Sequence, residues 1–150
     1  MTLSTYIDPE AISLALAGDS PAEVLAELVA LLRLDSSQAD TVHRLLLKRE
    51  ESGSTGVGHG IAIPHTRCLS VDRIRMAYGH HREGVEWGGI DGARVHHFFL
   101  IVAPPAEGGA PYLTVLSRVA QLVKEASVRD QLGQMETAPE LLSLIEEQGV

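Results

Sequence analysis

Cysteine is almost absent: Cys68 stands alone in 150 residues. No intrachain disulfide is possible, and a reducing compartment is the expected home. Aromatic residues make up only 4% of the chain, so the core has to be built from Leu, Val, Ile and Ala. Positive charge is also scarce, with 12 Lys and Arg against 20 Asp and Glu for a formal net charge of −8. That balance argues against nucleic acid, whose phosphates reward clustered basic side chains, and suits encounter with a basic protein surface. Nowhere do about 20 apolar residues run together, as a membrane-spanning helix requires. Met1 to Glu10 lacks the basic segment and apolar run of a secretory leader, so a cytoplasmic protein with no membrane insertion is expected. The remainder is ordinary for a globule, 45% hydrophobic and 21% charged, and long enough for one domain to bury a core.

Glycine is the exception to this scarcity. Gly53-Ser54-Thr55-Gly56-Val57-Gly58-His59-Gly60 is followed by Ile61-Ala62-Ile63-Pro64-His65-Thr66-Arg67. The glycines permit positive φ and close approach of the backbone to another group. Ile61 and Ile63 alternate with Ala62 as in a half-buried strand, and Pro64 ends that strand. His65 is thereby delivered at a rigid corner, beside amides expected to form a concave anion site. An imidazole in that setting points to phosphoryl chemistry on histidine. With an ordinary pKa near ~6.5, much of it is neutral and nucleophilic near pH 7.

Gly-Ser-Thr-Gly-Val-Gly-His-Gly-Ile-Ala-Ile-Pro-His resembles the active-site signature of the phosphotransferase-system enzyme IIA proteins of the fructose, mannitol and nitrogen-regulatory class. The likeness extends to Lys48-Arg49-Glu50-Glu51 upstream and to Trp87 through Pro105 downstream. It implies one enzyme IIA type 2 domain over residues 1–150, with an α/β fold in which a mixed central sheet carries helices on both faces. It also implies that His65 accepts a phosphoryl group from a histidine phosphocarrier protein. Arg49 would stand beside His65, its planar fork offering two-point contact to a phosphoryl oxygen or a partner carboxylate. The plainer reading of Lys48 and Arg49 is a solvated helix end whose charge offsets the dipole. The Thr55 hydroxyl is expected to bond the His65 ring or a phosphoryl oxygen. Phosphoryl transfer needs mainly positioning and charge stabilisation, so glycine amides with Arg49 are expected to suffice without cofactor or metal.

Taken in order, Ala11 to Leu16 reads as a strand or a helical turn, and the resemblance favours the strand. Ser20-Pro21-Ala22-Glu23 predicts a helix with a Ser20 cap and a capping box, its inner face Val24, Leu25, Leu28, Leu31 and Leu32. Ser36 or Ser37 is expected to cap a second helix with a Val42, Leu45 and Leu46 stripe, leaving His43 at the surface. Arg73 to Tyr78 alternates as a strand. Gly88 to Gly92 is rich in turn residues. Val95 to Ala103 predicts a central strand covered on both faces. Pro104-Pro105 stops it, and a loop at Glu107-Gly108-Gly109 leads to a helix from Pro111 with Leu113, Leu116, Val119, Ala120 and Val123 inward. Gln131 to Met135 predicts a short helical piece, and Thr137-Ala138-Pro139-Glu140 a capping box opening a last helix.

Other chemistries fit poorly. His80-His81 is expected in a loop and His96-His97 at the start of the central strand. Neighbours on a strand point to opposite faces, so neither pair chelates one ion, and no zinc spacing accompanies them. There is no Gly-x-Ser-x-Gly elbow and no P-loop ending. Cys68 reads as a packed thiol.

Two positions depart from the resembled pattern. His59 stands where Asn is usual. Tyr112, in Pro111-Tyr112-Leu113, stands where a second histidine usually adjoins the phosphoacceptor. A neutral phenol donates a hydrogen bond but supplies no imidazolium charge. His59 is the candidate to compensate. A stand-alone chain with this altered relay fits a nitrogen-type regulator that binds target proteins according to its phosphorylation state. The alternatives are a fructose- or mannitol-type transport component passing phosphate to a IIB domain, and a binding module without phosphoryl chemistry.

Overall fold

The computed structural model describes residues 2–105 and 110–150. The expected loop at Glu107-Gly108-Gly109 lies outside them. After a 3-10 turn at Leu3–Thr5 come β1 (Ile7–Ser13), α1 (Pro21–Ala30), α2 (Ser36–Glu51), β2 (Gly56–Gly58), β3 (Ile61–Ala62) and β4 (His65–Arg67). Then follow β5 (Arg75–Val85), β6 (Val95–Ala103), α3 (Ala110–Lys124), α4 (Ala126–Gln134) and α5 (Ala138–Gln148).

Helix starts follow their sequence signals. The Ser20 side chain accepts from the Glu23 N–H, Pro21 occupies the first turn, and Thr137 with Glu140 forms the predicted capping box. At α2 the prediction is corrected. Asp35, not Ser36 or Ser37, is the cap, and its carboxylate accepts from the Gln38 N–H at 2.8 Å. A carboxylate at a helix start gains from the dipole as well as from the bond.

The sheet is mixed. Its order is β1-β5-β6-β3-β2, with β4 also paired to β6. β5 runs antiparallel to β6, while β3 and β4 run parallel to it. Every residue of β6 except His96 is buried, as its continuous apolar run requires. α1 and α2 pack on each other and against β5 and β4; α3 packs on β6 and α5 on β1, so helices cover both faces.

Three further differences have local causes. β1 begins at Ile7, because its bonds to β5 start where the Tyr6 carbonyl accepts from the Met76 N–H. His80-His81 lies inside β5, not in a loop: His80 pairs with His97, their rings stacked at 4.7 Å. On α3, Val115, Val119, Leu122 and Val123 face inward, whereas Leu113 and Ala120 are exposed. Tyr112 turns toward His65, and the next residue, about 100° further round the helix, is left facing solvent.

Candidate phosphoacceptor site

β3 and β4 are one strand broken at its middle. Ala62 pairs with Phe98 and His65 with Ile101, so the register on β6 survives across the break. Between them the Ile63 N–H donates to the Thr55 carbonyl at 3.0 Å, and the Pro64 carbonyl accepts from Ile101. The Ile63 carbonyl is thereby left for a side chain. His65 Nδ1 lies 2.7 Å from it. A carbonyl only accepts, so Nδ1 carries a proton, and in the neutral ring Nε2 is then the nitrogen with the lone pair. The corner is a break within a strand whose four preceding residues, Ile61 to Pro64, are all buried; the expected half-buried strand is covered on both sides.

A phenol lies beside His65, and two guanidinium groups act on that phenol. The Tyr112 ring centroid lies 6.2 Å from that of His65, tilted by 55°. The Arg67 guanidinium carbon sits 4.3 Å from the centroid of the Tyr112 ring, a cation–π arrangement. Burial pushes the Tyr112 hydroxyl above its ordinary pKa, and the charges of Arg67 and Arg49 draw it part of the way back. Tyr112 is therefore a neutral phenol near pH 7. Arg49, half-buried at the end of α2, donates from Nη1 to the Gly53 carbonyl at 2.6 Å. Its charge is felt at the Tyr112 hydroxyl.

Arg67 was not singled out from sequence. The signal was the period of a strand, since residues i and i+2 share one face and β4 runs His65-Thr66-Arg67.

Thr55 is buried, and both its hydroxyl and its N–H are bonded to the Glu50 carboxylate, the N–H at 2.9 Å. The hydroxyl donates to Glu50 and not to the His65 ring. Several amides of the glycine loop are engaged within the loop and its neighbours. Besides Thr55, Gly56 donates to Ser54 Oγ at 3.0 Å and His59 to Asp91 Oδ2 at 3.0 Å. The positive charge nearest Tyr112 comes from Arg67, over its ring, and from Arg49.

His59 is not brought to His65. It sits at the tip of the β2–β3 hairpin, its φ of 57° flanked by 91° at Gly58 and 78° at Gly60. Ile61 and His65 pair with His97 and Ile101, four residues or ~13 Å apart along β6. Its side of the hairpin borders a cavity of about 230 Å³ shared with Ala120, Val123 and Lys124, at the opposite end of α3 from Tyr112. The expected compensation by His59 is not supported by this placement. N–H groups of Ala93 first and His59 second hold the Asp91 carboxyl below its usual range, which ties the Gly88–Gly92 turn to the hairpin.

The other histidines are occupied structurally. His97 Nδ1 bonds the Tyr78 hydroxyl at 2.7 Å, His81 the Gly18 carbonyl at 2.9 Å, and His96 the His81 carbonyl at 3.0 Å. Cys68 is buried, its N–H bonded to Ala103. Among the described residues no helix is long and apolar enough to cross a membrane.

The broken strand presents His65 beside Tyr112, with Arg67 over the Tyr112 ring, an arrangement that suits phosphoryl chemistry on the imidazole. The chain belongs to the family described as "Phosphoenolpyruvate-dependent sugar phosphotransferase system, EIIA 2", whose model matches residues 5–148. It is 31% identical over 146 residues to a nitrogen regulatory protein of Bradyrhizobium diazoefficiens, covering 97% of this chain and 95% of the relative. It is 30% identical over 149 residues to the fructose-specific EIIABC component of Bacillus subtilis, but spans only 23% of that protein against 97% of itself. The crystal structure of nitrogen regulatory protein IIA-Ntr from Neisseria meningitidis matches with a TM-score of 0.88 at 30% identity, over 95% of this chain and 98% of that one. The chain is a phosphotransferase-system IIA-like protein; its relatives of matching length include nitrogen regulatory proteins and, at 31% identity over 90% of this chain and 88% of the relative, a fructose-specific EIIA component of Haloferax volcanii.

Proposed function

We propose that this protein accepts a phosphoryl group on Nε2 of His65 from a phosphohistidine carrier and acts as a nitrogen-type regulator. The observation that carries the reading is the 2.7 Å approach of His65 Nδ1 to the Ile63 carbonyl. Nucleophilic catalysis needs a ring held in one tautomer and orientation, and this bond provides both. In the transfer, the donor's P–N bond breaks as a P–N bond to Nε2 forms, while Nδ1 keeps its proton on the carbonyl. Arg49 and Arg67 stabilise the phosphoryl oxygens, and the Tyr112 hydroxyl donates to one of them. The phosphorylated and free forms then differ in local charge, the property a regulatory partner reads.

A second reading, onward transfer to a IIB domain, draws on the multidomain fructose-specific relative. Tyr112 disfavours it, because a neutral phenol adds no positive charge as the phosphoryl group departs. The test is incubation with phosphoenolpyruvate and the general phosphotransfer proteins, read by intact mass. One acid-labile phosphoryl group is expected on the wild-type chain and none on His65→Ala.

A further inference from the structure

His65 is aimed by a carbonyl, and that carbonyl is itself held through a chain of bonds beginning on another element. Glu50, one residue beyond Arg49 on α2, takes both the hydroxyl and the N–H of Thr55 on its carboxylate. The Thr55 carbonyl accepts the Ile63 N–H at 3.0 Å, and the Ile63 carbonyl accepts from His65 Nδ1 at 2.7 Å. Each link fixes the next. Glu50 anchors the Thr55 N–H and side chain. The rigid peptide plane that carries the Thr55 carbonyl is held at its other end by the Gly56 N–H, which donates to Ser54 Oγ at 3.0 Å, so the carbonyl is aimed at Ile63.

We propose that Glu50 is a positioning residue: through Thr55 and Ile63 it orients His65 and selects the tautomer that leaves Nε2 nucleophilic. The two-point grip is the physical basis. Ile63 sits at the break between β3 and β4, where the ladder does not hold its N–H or its carbonyl against β6. Without Glu50, the peptide planes at this break are free to rotate, and the imidazole exchanges its carbonyl partner for water. The adjacency of Arg49 and Glu50 then has a division of labour. Arg49 faces the transferred group, and Glu50 holds the frame on which His65 stands.

The consequence for phosphotransfer rests on the His65 reading above, and the experiment separates the two. Nitrogen NMR of histidine-labelled, unphosphorylated protein reads the tautomer directly. Wild type should carry its proton on Nδ1 of His65. Glu50→Ala should move population toward the Nε2–H form and slow phosphorylation about tenfold, the scale of one lost hydrogen bond. Glu50→Gln should restore the wild-type tautomer, since its amide accepts from the Thr55 N–H and donates to the Thr55 hydroxyl oxygen. Thr55→Val should act in the same direction as Glu50→Ala, and the double variant should be no worse than Glu50→Ala alone. A merely structural glutamate would lower stability without moving the tautomer. If Glu50→Ala fails to fold, Glu50→Asp, one methylene shorter, decides on the same signal. An unchanged His65 tautomer in the folded variant overturns the proposal. Failure of the wild-type chain to take a phosphoryl group on His65 overturns the functional reading instead, and leaves the tautomer result to decide on Glu50.

Discussion

Tyr112 and Arg67 form a unit, because the guanidinium lies over the phenol ring at 4.3 Å while that ring lies 6.2 Å from His65. Two functions of the tyrosine are separable. The ring positions Arg67, and the hydroxyl offers one neutral hydrogen bond. Tyr112→Phe keeps the ring, so phosphorylation of His65 should slow by no more than about threefold, below the roughly tenfold worth of a full hydrogen bond. Arg67→Ala removes a cation from the developing charge and should cost more, on the order of a hundredfold by analogy with a lost oxyanion donor. Stopped phosphorylation assays with the phosphocarrier measure both; equal effects would dissolve the proposed division. Tyr112→His is expected to do the opposite for onward transfer. An imidazolium beside the departing group should raise the rate to a IIB domain by up to about a hundredfold. Wild type that already transfers as fast as Tyr112→His would favour the transport reading. Arg49→Lys keeps the charge and loses the fork, so slower phosphorylation with an unchanged melting temperature is expected.

The elements that carry the site depend on close backbone contact between two loops. A Cβ on Gly56 would stand 2.9 Å from the Gly89 Cα, backbone against backbone with no side chain able to yield. Gly56→Ala should therefore cost about 1–3 kcal/mol, as overpacking does, and shift the urea midpoint accordingly. A midpoint within error of wild type would mean the loops separate freely. Much of this level was legible in sequence. The Ser20-Pro21 start of α1, the Thr137 capping box of α5 and the apolar run of β6 each carry a local rule that tertiary structure did not override. β5 was readable only to Tyr78, because its later residues, His80-His81-Arg82-Glu83-Gly84, show no apolar alternation; Arg82 and Glu83 are exposed, and the strand is held there by pairing and His–His stacking with the neighbouring strand. The inward face of α3 was misjudged at Leu113 for a related reason. Tyr112 fixes the helix phase by its contact with His65, a contact between residues far apart in sequence. Within the site, His65, Arg49 and Tyr112 were legible as a motif and its flanks. Glu50 was not distinguished from a solvated helix end, since its role exists only once Thr55 folds back onto it.

For the whole molecule the titrating element is the histidine stack between β5 and β6, remote from the phosphoacceptor. Burial first, then the charges of His80 and His96, lower the His97 pKa from 6.5 to about 4. An unfolded histidine takes its proton near ~6.5, so the unfolded chain binds more protons than the folded one between these values. Stability is thus complete above about pH 6.5 and declines as pH falls toward 4, by roughly 3 kcal/mol for this residue. Urea unfolding between pH 7 and pH 4.5 should show that fall, and His97→Gln should flatten it while keeping a hydrogen-bond acceptor for Tyr78. An equally steep decline in His97→Gln would move the cause elsewhere. Phosphoryl acceptance is independent of this stack and remains the central claim. It is tested most directly by phosphorus–nitrogen correlation NMR on histidine-labelled protein after incubation with the phosphoenolpyruvate-driven phosphotransfer proteins. A single phosphoryl group bonded to Nε2 of His65, absent from His65→Ala, is the predicted result; a group on Nδ1, or label that persists in His65→Ala, would contradict it.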